Sequence, residues 1–276
     1  MIPAERDAYL RRIGLDDAPP ATLSGLATLM TAHLHTVPFE NLGIQLGHGV
    51  TLDPDHLFDK IVRRRRGGYC YELNGMFGRL LDALGFTRRP VSARVWYRDP
   101  PETPGLTHTL NVVTLAEGEV LADVGFGGTT ARGPVPFKEG AEVTDADGAV
   151  RLRAYPPHGV LLERETPAGW QPQFSTDGRE AYPADAALGS HFMSTHPSSH
   201  FVTGVVVGLF APEGRDGLVG RTLTVRRGWE TEQRVLNDDE VRTALTDRFG
   251  LDLGAEEDAL IGRLPPLRSH PAFVSA

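Results

Sequence analysis

The chain has 276 residues, of which 40% are hydrophobic and 23% are charged, and its formal net charge at pH 7 is -8. These values indicate a soluble globular protein with ample apolar material for a core, built as one large domain or two to three small ones. The acidic balance argues against nucleic acid as the main partner, because nucleic-acid binding calls for a basic surface. No apolar run approaches membrane-spanning length, and the charged N-terminus lacks the apolar region of a signal peptide. We therefore expect no membrane association and, with a single cysteine and no internal disulfide, a cytoplasmic location; oligomeric state is left open.

The first 87 residues have the apolar spacing of helices. Residues 4–13 and 22–34 each carry an apolar stripe at helical spacing, and Pro38 interrupts the pattern that follows. Asp53 is a good N-cap with Pro54 at the first helical position, and it predicts a helix that continues to about residue 62. We expect a helical bundle here.

The stretch of residues 65–74 holds the only cysteine, Cys70, directly after Gly67, Gly68 and Tyr69. The next residues recur at spacings of three and four, which predicts an amphipathic helix that Gly85 ends; its stripe is Leu73, Phe77, Leu80, Leu81 and Leu84. Cys70 therefore lies at or just before a helix N-terminus. The helix dipole and the free backbone N–H groups there favour an anion, and thiolate is the nucleophilic form of cysteine.

A lone cysteine is also commonly a small buried hydrophobe. The context of Cys70 favours a chemical role, since paired glycines allow the backbone and a ligand to approach closely and four arginines lie upstream. The arginines of residues 63–66 have an alternative explanation as cations at a helix C-terminus.

From residue 88 the hydrophobic period changes to two, which predicts strands separated by Gly, Pro and Asp turns. The predicted strands cover residues 90–97, 107–115, 120–124, 150–155, 159–165 and 170–175. Consecutive short strands of this kind predict a small barrel or a curled antiparallel sheet. From about residue 191 the pattern is mixed: strands are predicted at 201–210, 222–226 and 233–236, and then a helix from Asn237 or Asp238 to residue 249.

His108 and Asp123 both fall toward the open end of one predicted hairpin, whose turn is at Glu117-Gly118. A two-residue loop at that turn would place Val112 opposite Asp123 and His108 further along, so the register is imperfect. Either the loop is wider or the strands bend near residue 125. With Cys70, these residues supply a nucleophile, a base and an orienting carboxylate.

Read together, these pieces resemble the arylamine N-acetyltransferase family. The sequence Arg-Gly-Gly-Tyr-Cys-Tyr-Glu-Leu-Asn at 66–74 looks like that family's cysteine motif, and Val-Pro-Phe-Glu-Asn-Leu at 37–42 looks like its upstream motif. His108, the Asp-Val-Gly-Phe-Gly at 123–127 and the Ser- and Pro-rich stretch at 194–201 follow in family order. The matches extend from about residue 35 to residue 201, and no motif is matched after about residue 230.

The resemblance implies an α+β fold of three parts: a helical bundle at 1–87 carrying the nucleophile, an antiparallel β-barrel at 88–190 carrying His108 and Asp123, and an α/β lid at 191–276. It implies a ping-pong transfer from acetyl-CoA, as a co-substrate, to an arylamine or hydrazine acceptor through an acetyl-cysteine. It also implies a role for each of several residues: a catalytic triad of Cys70, His108 and Asp123; CoA contacts at Gly105, Gly125, Gly127 and Gly128; an acceptor pocket of Phe39, Tyr69, Phe126 and Phe201; and a buried Glu40–Arg66 ion pair.

Four other hypotheses are considered at the level of sequence. A non-catalytic binding module is one of them, and the presence of all three catalytic residue types argues against it. A cysteine hydrolase or transglutaminase-like enzyme shares the Cys-His-Asp order, and an amide synthase that releases a polyketide chain is a relative within the family. A metal site at His191, His196 and His200 is disfavoured, because Pro197 breaks a shared helical face and no His-Glu-x-x-His motif is present. We therefore expect no metal.

Overall fold

The structure is a computed structural model that describes residues 1–97 and 99–264. Its helices are α1 (Pro3–Arg12), α2 (Leu23–Thr36), α3 (Leu42–Gln45), α4 (Pro54–Phe58), α5 (Cys70–Ala83), α6 (Pro183–Thr195), α7 (His200–Thr203), α8 (Asp238–Thr243) and α9 (Ala255–Ile261). Its strands are β1 (Phe39–Glu40), β2 (Thr87–Val95), β3 (Leu106–Leu115), β4 (Gly118–Ala122), β5 (Val135–Pro136), β6 (Glu142–Asp145), β7 (Gly148–Ala154), β8 (Val160–Thr166), β9 (Gly169–Thr176), β10 (Val206–Ala211), β11 (Gly214–Val219), β12 (Thr222–Arg227) and β13 (Glu230–Val235).

The N-terminal helices form a bundle around the apolar faces predicted from their spacing. Leu26, Ile61 and Phe77 are fully buried in one core shared by α1, α2, α5 and the segment after α4. The cap at Asp53 is present, because its carboxylate accepts hydrogen bonds from the backbone N–H groups of two following residues. The α-helix that it begins ends at Phe58 and continues as a π-helical turn, Asp59–Arg63.

The strands of the middle region form an eight-stranded antiparallel sheet in the order β5-β4-β3-β2-β9-β8-β7-β6. The first and last strands of this order, β5 and β6, lie in contact, so the sheet curls into a nearly closed barrel. Its interior is filled by alternating apolar residues such as Val91, Leu110 and Phe174. One end of β3 and β4 is thereby held against helix α5, which packs on β3.

A second sheet has the order β1-β10-β11-β12-β13. One face carries Val207, Leu218 and Leu223, which form a core with helices α8 and α9. Phe210, from the opposite face of β10, joins the core of the N-terminal bundle. Since β1 belongs to the N-terminal region, this sheet ties the last part of the chain to the first.

The predicted α+β class, with helical bundle, antiparallel barrel and C-terminal α/β region, is confirmed by this architecture. The division into domains at residues 87 and 190 stays a prediction, and residue 190 lies within helix α6. The predicted lid runs to residue 276, and its residues 265–276 lie outside the described part of the chain.

Three features of the C-terminal half were predicted wrongly or missed. The strand predicted at 201–210 begins only at Val206, because Ser199 caps a short helix by accepting a hydrogen bond from the N–H of Phe201. Helix α6 was not anticipated, since it exposes Leu188 and Phe192 and buries few large apolar side chains. Strand β11 was also missed.

No helix in residues 1–97 and 99–264 is both long enough and apolar enough to cross a membrane.

Candidate active site

Cys70 is the first residue of helix α5, and its thiol is buried and free of any disulfide. The segment before it packs against residues 38–40: the N–H of Glu40 donates to the carbonyl of Gly68, 2.9 Å away. A Cβ on Gly67 would lie 1.9 Å from the carbonyl oxygen of Pro38, so only glycine fits this approach. The two sequence motifs at 37–42 and 66–74 are therefore parts of one structural unit.

Buried charged side chains support this cysteine loop. The guanidinium of Arg66 contacts Glu40 at 3.3 Å and Glu257 of helix α9 at 2.7 Å, and the amine of Lys60 contacts Glu72 at 2.7 Å. The second carboxylate oxygen of Glu72 accepts the backbone N–H of Tyr69 at 3.1 Å. Side-chain ion pairs and a backbone hydrogen bond therefore fix the chain on both sides of Cys70.

The two buried glutamates of this network, Glu40 and Glu72, have pKa values shifted in opposite directions. Burial alone would raise the pKa of Glu40, but the cations Lys60 and Arg66 outweigh burial and lower it. Burial dominates at Glu72 and raises its pKa, even though Lys60 acts in the opposite sense. Glu40 is therefore the firmly ionised partner of Arg66.

His108 lies between the cysteine and a carboxylate. Its Nε2 is 2.7 Å from Oδ2 of Asp123, and both side chains are almost fully buried. Burial alone would lower the pKa of His108, but the charge and hydrogen bond of Asp123, aided by a hydrogen bond with Cys70, raise it to about 10. Asp123 therefore favours the protonated form of the His108 imidazole.

Asn74, one helical turn after Cys70, fastens the helix to the hairpin that carries the other two residues. Its Nδ2 donates to the carbonyl of Thr109 at 2.7 Å and to Oδ1 of Asp123 at 2.8 Å. Its Oδ1 accepts the N–H of Val124 at 2.9 Å. The same Oδ1 of Asp123 also accepts the N–H of Gly125. One oxygen of Asp123 is thereby fixed, and the other points to His108.

The register of the β3–β4 hairpin differs by one position from the two-residue loop considered at Glu117-Gly118. Leu115 pairs with Gly118 and Asn111 pairs with Ala122. The ladder ends there, so Asp123 leaves the strand and reaches His108 across the end of the hairpin. The sequence analysis considered either a wider loop or a bend in the strands. In the structure the two-residue loop is shifted by one position, and strand β4 ends at Ala122, just before Asp123.

A protein-family model described as "N-acetyltransferase" matches residues 22–258 of the chain. The arylamine N-acetyltransferase of Mycolicibacterium smegmatis is 41% identical over 254 residues, which is 89% of this chain and 91% of that protein. That of Escherichia coli is 34% identical over 95% of this chain and 96% of its own. The chain belongs to the arylamine N-acetyltransferase family. The solved structure of the Mycobacterium marinum arylamine N-acetyltransferase in complex with CoA has 37% identity and a TM-score of 0.88, and the match covers 93% of this chain and 98% of that one.

The four aromatic residues predicted to line the acceptor pocket of this family member fall into two groups. Phe201 packs against Phe39 and Tyr69 with ring centroids 5.6 and 5.8 Å apart. Phe126 lies on the barrel side, where its ring is edge-on to His108 at 5.1 Å. Tyr69 is fully buried, and its hydroxyl bonds to Ser190 of α6. Of the four rings, that of Phe126 packs on the imidazole of His108.

The four glycines predicted to contact CoA have different surroundings. A Cβ on Gly125 would lie 2.9 Å from Cα of Cys70, and one on Gly127 would lie 2.5 Å from the ring of Phe39. The missing side chains at these two positions therefore make room for the protein's own atoms. Gly105 is exposed, and a Cβ on Gly128 would meet open space. CoA contact by the four glycines stays a prediction.

Two of the three histidines weighed as metal ligands, His196 and His200, have their rings against other side chains. The ring of His196 stacks on Phe192 at 4.5 Å and bonds to Ser198, while the ring of His200 lies against Phe201. Across the described parts of the chain, no three His, Cys, Asp or Glu side chains converge in a group that could hold a metal ion.

Sequence reasoning did not assign roles to three residues that the structure places around the site. Asn74 stood in the cysteine motif, and its i+4 spacing from Cys70 was the available signal. Phe174 packs on His108 at 5.3 Å, and Ser190 holds Tyr69. Both contacts join residues far apart in the chain, and the sequence carried no signal for them.

Proposed function

We propose that this chain is an acetyl-CoA-dependent N-acetyltransferase that acts on arylamines or arylhydrazines through an acetyl-cysteine intermediate. The observation that carries the proposal is the buried imidazole of His108, which is hydrogen-bonded to Asp123 and lies close enough to Cys70 for that residue to help raise its pKa. An imidazolium beside a thiol favours the thiolate, the form of cysteine that attacks a carbonyl. Membership of the family supplies the class of reaction.

In the first half-reaction the thiolate of Cys70 attacks the carbonyl carbon of the acetyl thioester and forms a new carbon–sulfur bond. The negative charge passes to the carbonyl oxygen, and the N–H of Cys70 at the start of α5 is one donor that can hold it. The tetrahedral species then expels CoA, whose sulfur takes the proton that His108 carried. The products are an acetyl-cysteine, free CoA and a neutral His108.

In the second half-reaction the amine nitrogen attacks the acetyl-cysteine. His108, now neutral, accepts the proton that the nitrogen loses, and the thiolate of Cys70 leaves. Asp123 fixes the tautomer of His108 and stabilises the imidazolium that re-forms. An arylamine suits this step because its nitrogen is largely unprotonated at neutral pH. Atoms and protons balance, and the site returns to its starting state.

The acceptor is expected beside Phe126, the ring that meets His108 edge-on. Phe126 is only partly buried, whereas Tyr69 is fully buried and bonded through its hydroxyl, so Tyr69 supports the site from behind. An aromatic acceptor would gain offset or edge contacts with such a ring. For the donor, the complex of the M. marinum relative with CoA supports acetyl-CoA.

The test is steady-state kinetics with a panel of acyl-CoA donors and aromatic amines and hydrazines. We expect acetyl-CoA and an arylamine to give parallel double-reciprocal lines, the signature of a ping-pong reaction. The Cys70→Ala variant, checked for folding by circular dichroism, is expected to transfer no acetyl group. Intersecting lines, or transfer at the wild-type rate by Cys70→Ala, would overturn the mechanism. Turnover of peptide bonds or glutamine side chains without use of acetyl-CoA would favour a hydrolase or transglutaminase, and use of carrier-bound acyl chains alone would favour an amide synthase.

A further inference from the structure

The ring of Phe174 packs directly on the base of the proposed reaction. Its centroid lies 5.3 Å from that of the His108 imidazole and 5.4 Å from that of the Phe126 ring, and the latter two are 5.1 Å apart. The three rings therefore form a compact triangle in which each ring packs on the other two. Phe126 lies on the loop after Asp123 and is partly exposed, whereas Phe174 lies on strand β9 and is 1% exposed. Of the two phenylalanines, Phe174 is thus the one fixed in the barrel wall.

A β-bulge comes directly before each of the two ring residues that the barrel strands supply. The pairing of β3 with β2 skips Thr107, so this residue is an extra one in β3, just before His108. The pairing of β9 with β8 skips Gln173 in the same way, just before Phe174. Such bulges are common at barrel rims and next to active sites, where they redirect side chains. The two bulges thus set the directions from which the imidazole and the phenyl ring meet.

Hydrogen bonds hold the bulge before Phe174 in place. The carbonyl of Gln173 accepts the backbone N–H groups of Trp96 and Tyr97, at 2.9 and 3.1 Å. The side chain of Gln173 is fully buried, and its carbonyl oxygen accepts a hydrogen bond from the hydroxyl of Thr129. These contacts fix the backbone beside Phe174, and the packed barrel core surrounds its ring. Because a close-packed core leaves a side chain little room to turn, the ring has a defined orientation.

The polar contacts of His108 change during the proposed reaction. The imidazole is hydrogen-bonded to Asp123, and the thiol of Cys70 is close enough to influence its charge. Once Cys70 carries the acetyl group, its sulfur has neither a proton nor a charge to share with the imidazole. The bond to Asp123 then acts together with the packing of the two phenylalanine rings to keep the imidazole aligned toward the incoming amine. Support from Phe174 therefore matters most in the second half-reaction.

We propose that Phe174 is a positioning residue whose ring holds the imidazole of His108 in the plane that the second half-reaction requires. The inference rests on the proposed function, because it names the support of the base in that reaction. Phe174 acts through His108 rather than on the acetyl group or the amine. A base displaced by about 1 Å loses roughly a hundredfold in rate, so a smaller or more mobile side chain at this position should slow the deacetylation of Cys70.

A residue that only fills the barrel core would behave differently in kinetics. Loss of a core side chain lowers stability and with it the fraction of competent enzyme, which reduces both half-reactions by the same factor. In a ping-pong reaction, kcat/KM for acetyl-CoA reports the first half-reaction, and kcat/KM for the amine reports the second. The ratio of these two values therefore separates a positioning role of Phe174 from a purely structural one.

The test measures this ratio in the wild type, in Phe174→Leu, in Phe174→Met and in two controls. Leu152→Ala removes a side chain that is 1% exposed in the same barrel core, and Phe249→Leu makes the same replacement in the fully buried core beside the second sheet. We expect both variants of Phe174 to lower kcat/KM for the arylamine at least about tenfold more than kcat/KM for acetyl-CoA. The controls should leave the ratio unchanged. Equal factors for the two substrates in Phe174→Leu and Phe174→Met would overturn the inference.

Single-turnover measurements on the acetylated enzyme separate this inference from the proposed function. Each protein is acetylated with acetyl-CoA, freed of CoA and mixed with increasing concentrations of the arylamine. The inference predicts that Phe174→Leu lowers the limiting rate at saturating amine at least about tenfold, with little change in the amine concentration at half-saturation. A loss carried only by the half-saturation concentration would overturn it, since the ring would then serve acceptor binding through Phe126. Absence of any acetylated enzyme in the wild type would instead refute the proposed function itself.

Discussion

The replacement Asn74→Ala tests how the cysteine helix and the histidine hairpin are held together. The side chain of Asn74 makes three hydrogen bonds to the hairpin, with Thr109, Asp123 and Val124, and it is almost fully buried. At about 1 kcal/mol for each bond, the variant should lose about 3 kcal/mol of unfolding free energy. Asp123 keeps its bond from Gly125 but loses the one that ties it to helix α5.

The effect on the reaction should be larger than the loss of stability alone would cause. With Asp123 less well placed, His108 loses alignment with Cys70, and a shift of about 1 Å costs roughly a hundredfold in rate. We therefore expect kcat/KM for acetyl transfer to fall roughly a hundredfold in Asn74→Ala at a temperature where the variant is fully folded. Urea unfolding and initial-rate kinetics on the same preparation separate the two effects.

Asn111→Ala is the matched control. Asn111 is equally buried and makes two hydrogen bonds, to the carbonyl of Asn74 at 3.1 Å and from Arg88 at 2.9 Å, neither of which involves the triad. It should lose about 2 kcal/mol of unfolding free energy and keep most of its rate. If the two variants lose rate equally, or if folded Asn74→Ala is as active as the wild type, Asn74 does not position Asp123.

Three further predictions follow from the buried polar groups. Asp123→Asn should reduce kcat roughly 10⁴-fold with little change in fold, because His108 would take the wrong tautomer; wild-type rates in that variant would remove Asp123 from the triad. Burial, aided by Arg12, lowers the pKa of His33 from 6.5 to about 3, so His33 stabilises the fold above pH 6.5 and this stability is lost as the pH falls toward 3. At pH 5 the loss should be about 2 kcal/mol, and His33→Gln should show a shallower acid dependence in urea unfolding from pH 7 to 5; an identical dependence would contradict this assignment. Glu40→Gln should destabilise by about 3 kcal/mol, since it leaves Arg66 and Lys60 with one carboxylate fewer; a variant as stable as the wild type would show that the buried pair contributes nothing net.

Much of the architecture followed from periodicity. The helix that begins at Cys70 was predicted from its apolar stripe, and the cap at Asp53 from its residue type. Six of the eight barrel strands were predicted from their alternation, and the short strands β5 and β6 were not. These signals are local, because they depend on which face of an element meets the core.

The failures occurred where distant contacts decide the local structure. Residues 200–203 look like the start of a valine-rich strand, but they form a short helix instead. The side-chain amide of Asn41 donates hydrogen bonds to the carbonyl oxygens of Phe201 and Gly204 in this segment. Helix α6 approaches the hydroxyl of Tyr71 closely at Gly189, where a Cβ would lie 2.0 Å from the hydroxyl oxygen. No pattern in the sequence predicts this contact. Such contacts join residues more than a hundred positions apart.

Local and distant contacts differ in the same way at the site. Residue type and motif were enough to name the proposed catalytic residues, but not the residues that hold them in place. Arg66 was expected to pair with Glu40, but its closer partner is Glu257, beyond the last matched motif.

The central claim is that the sulfur of Cys70 carries the acetyl group between donor and acceptor. The direct measurement is the intact mass of the protein after incubation with acetyl-CoA alone, followed by peptide mapping. The account predicts one added acetyl group, located on Cys70, that disappears when an arylamine is added and that does not form in Cys70→Ala. An unmodified protein that still acetylates the amine, or an acetyl group on another residue, would contradict it.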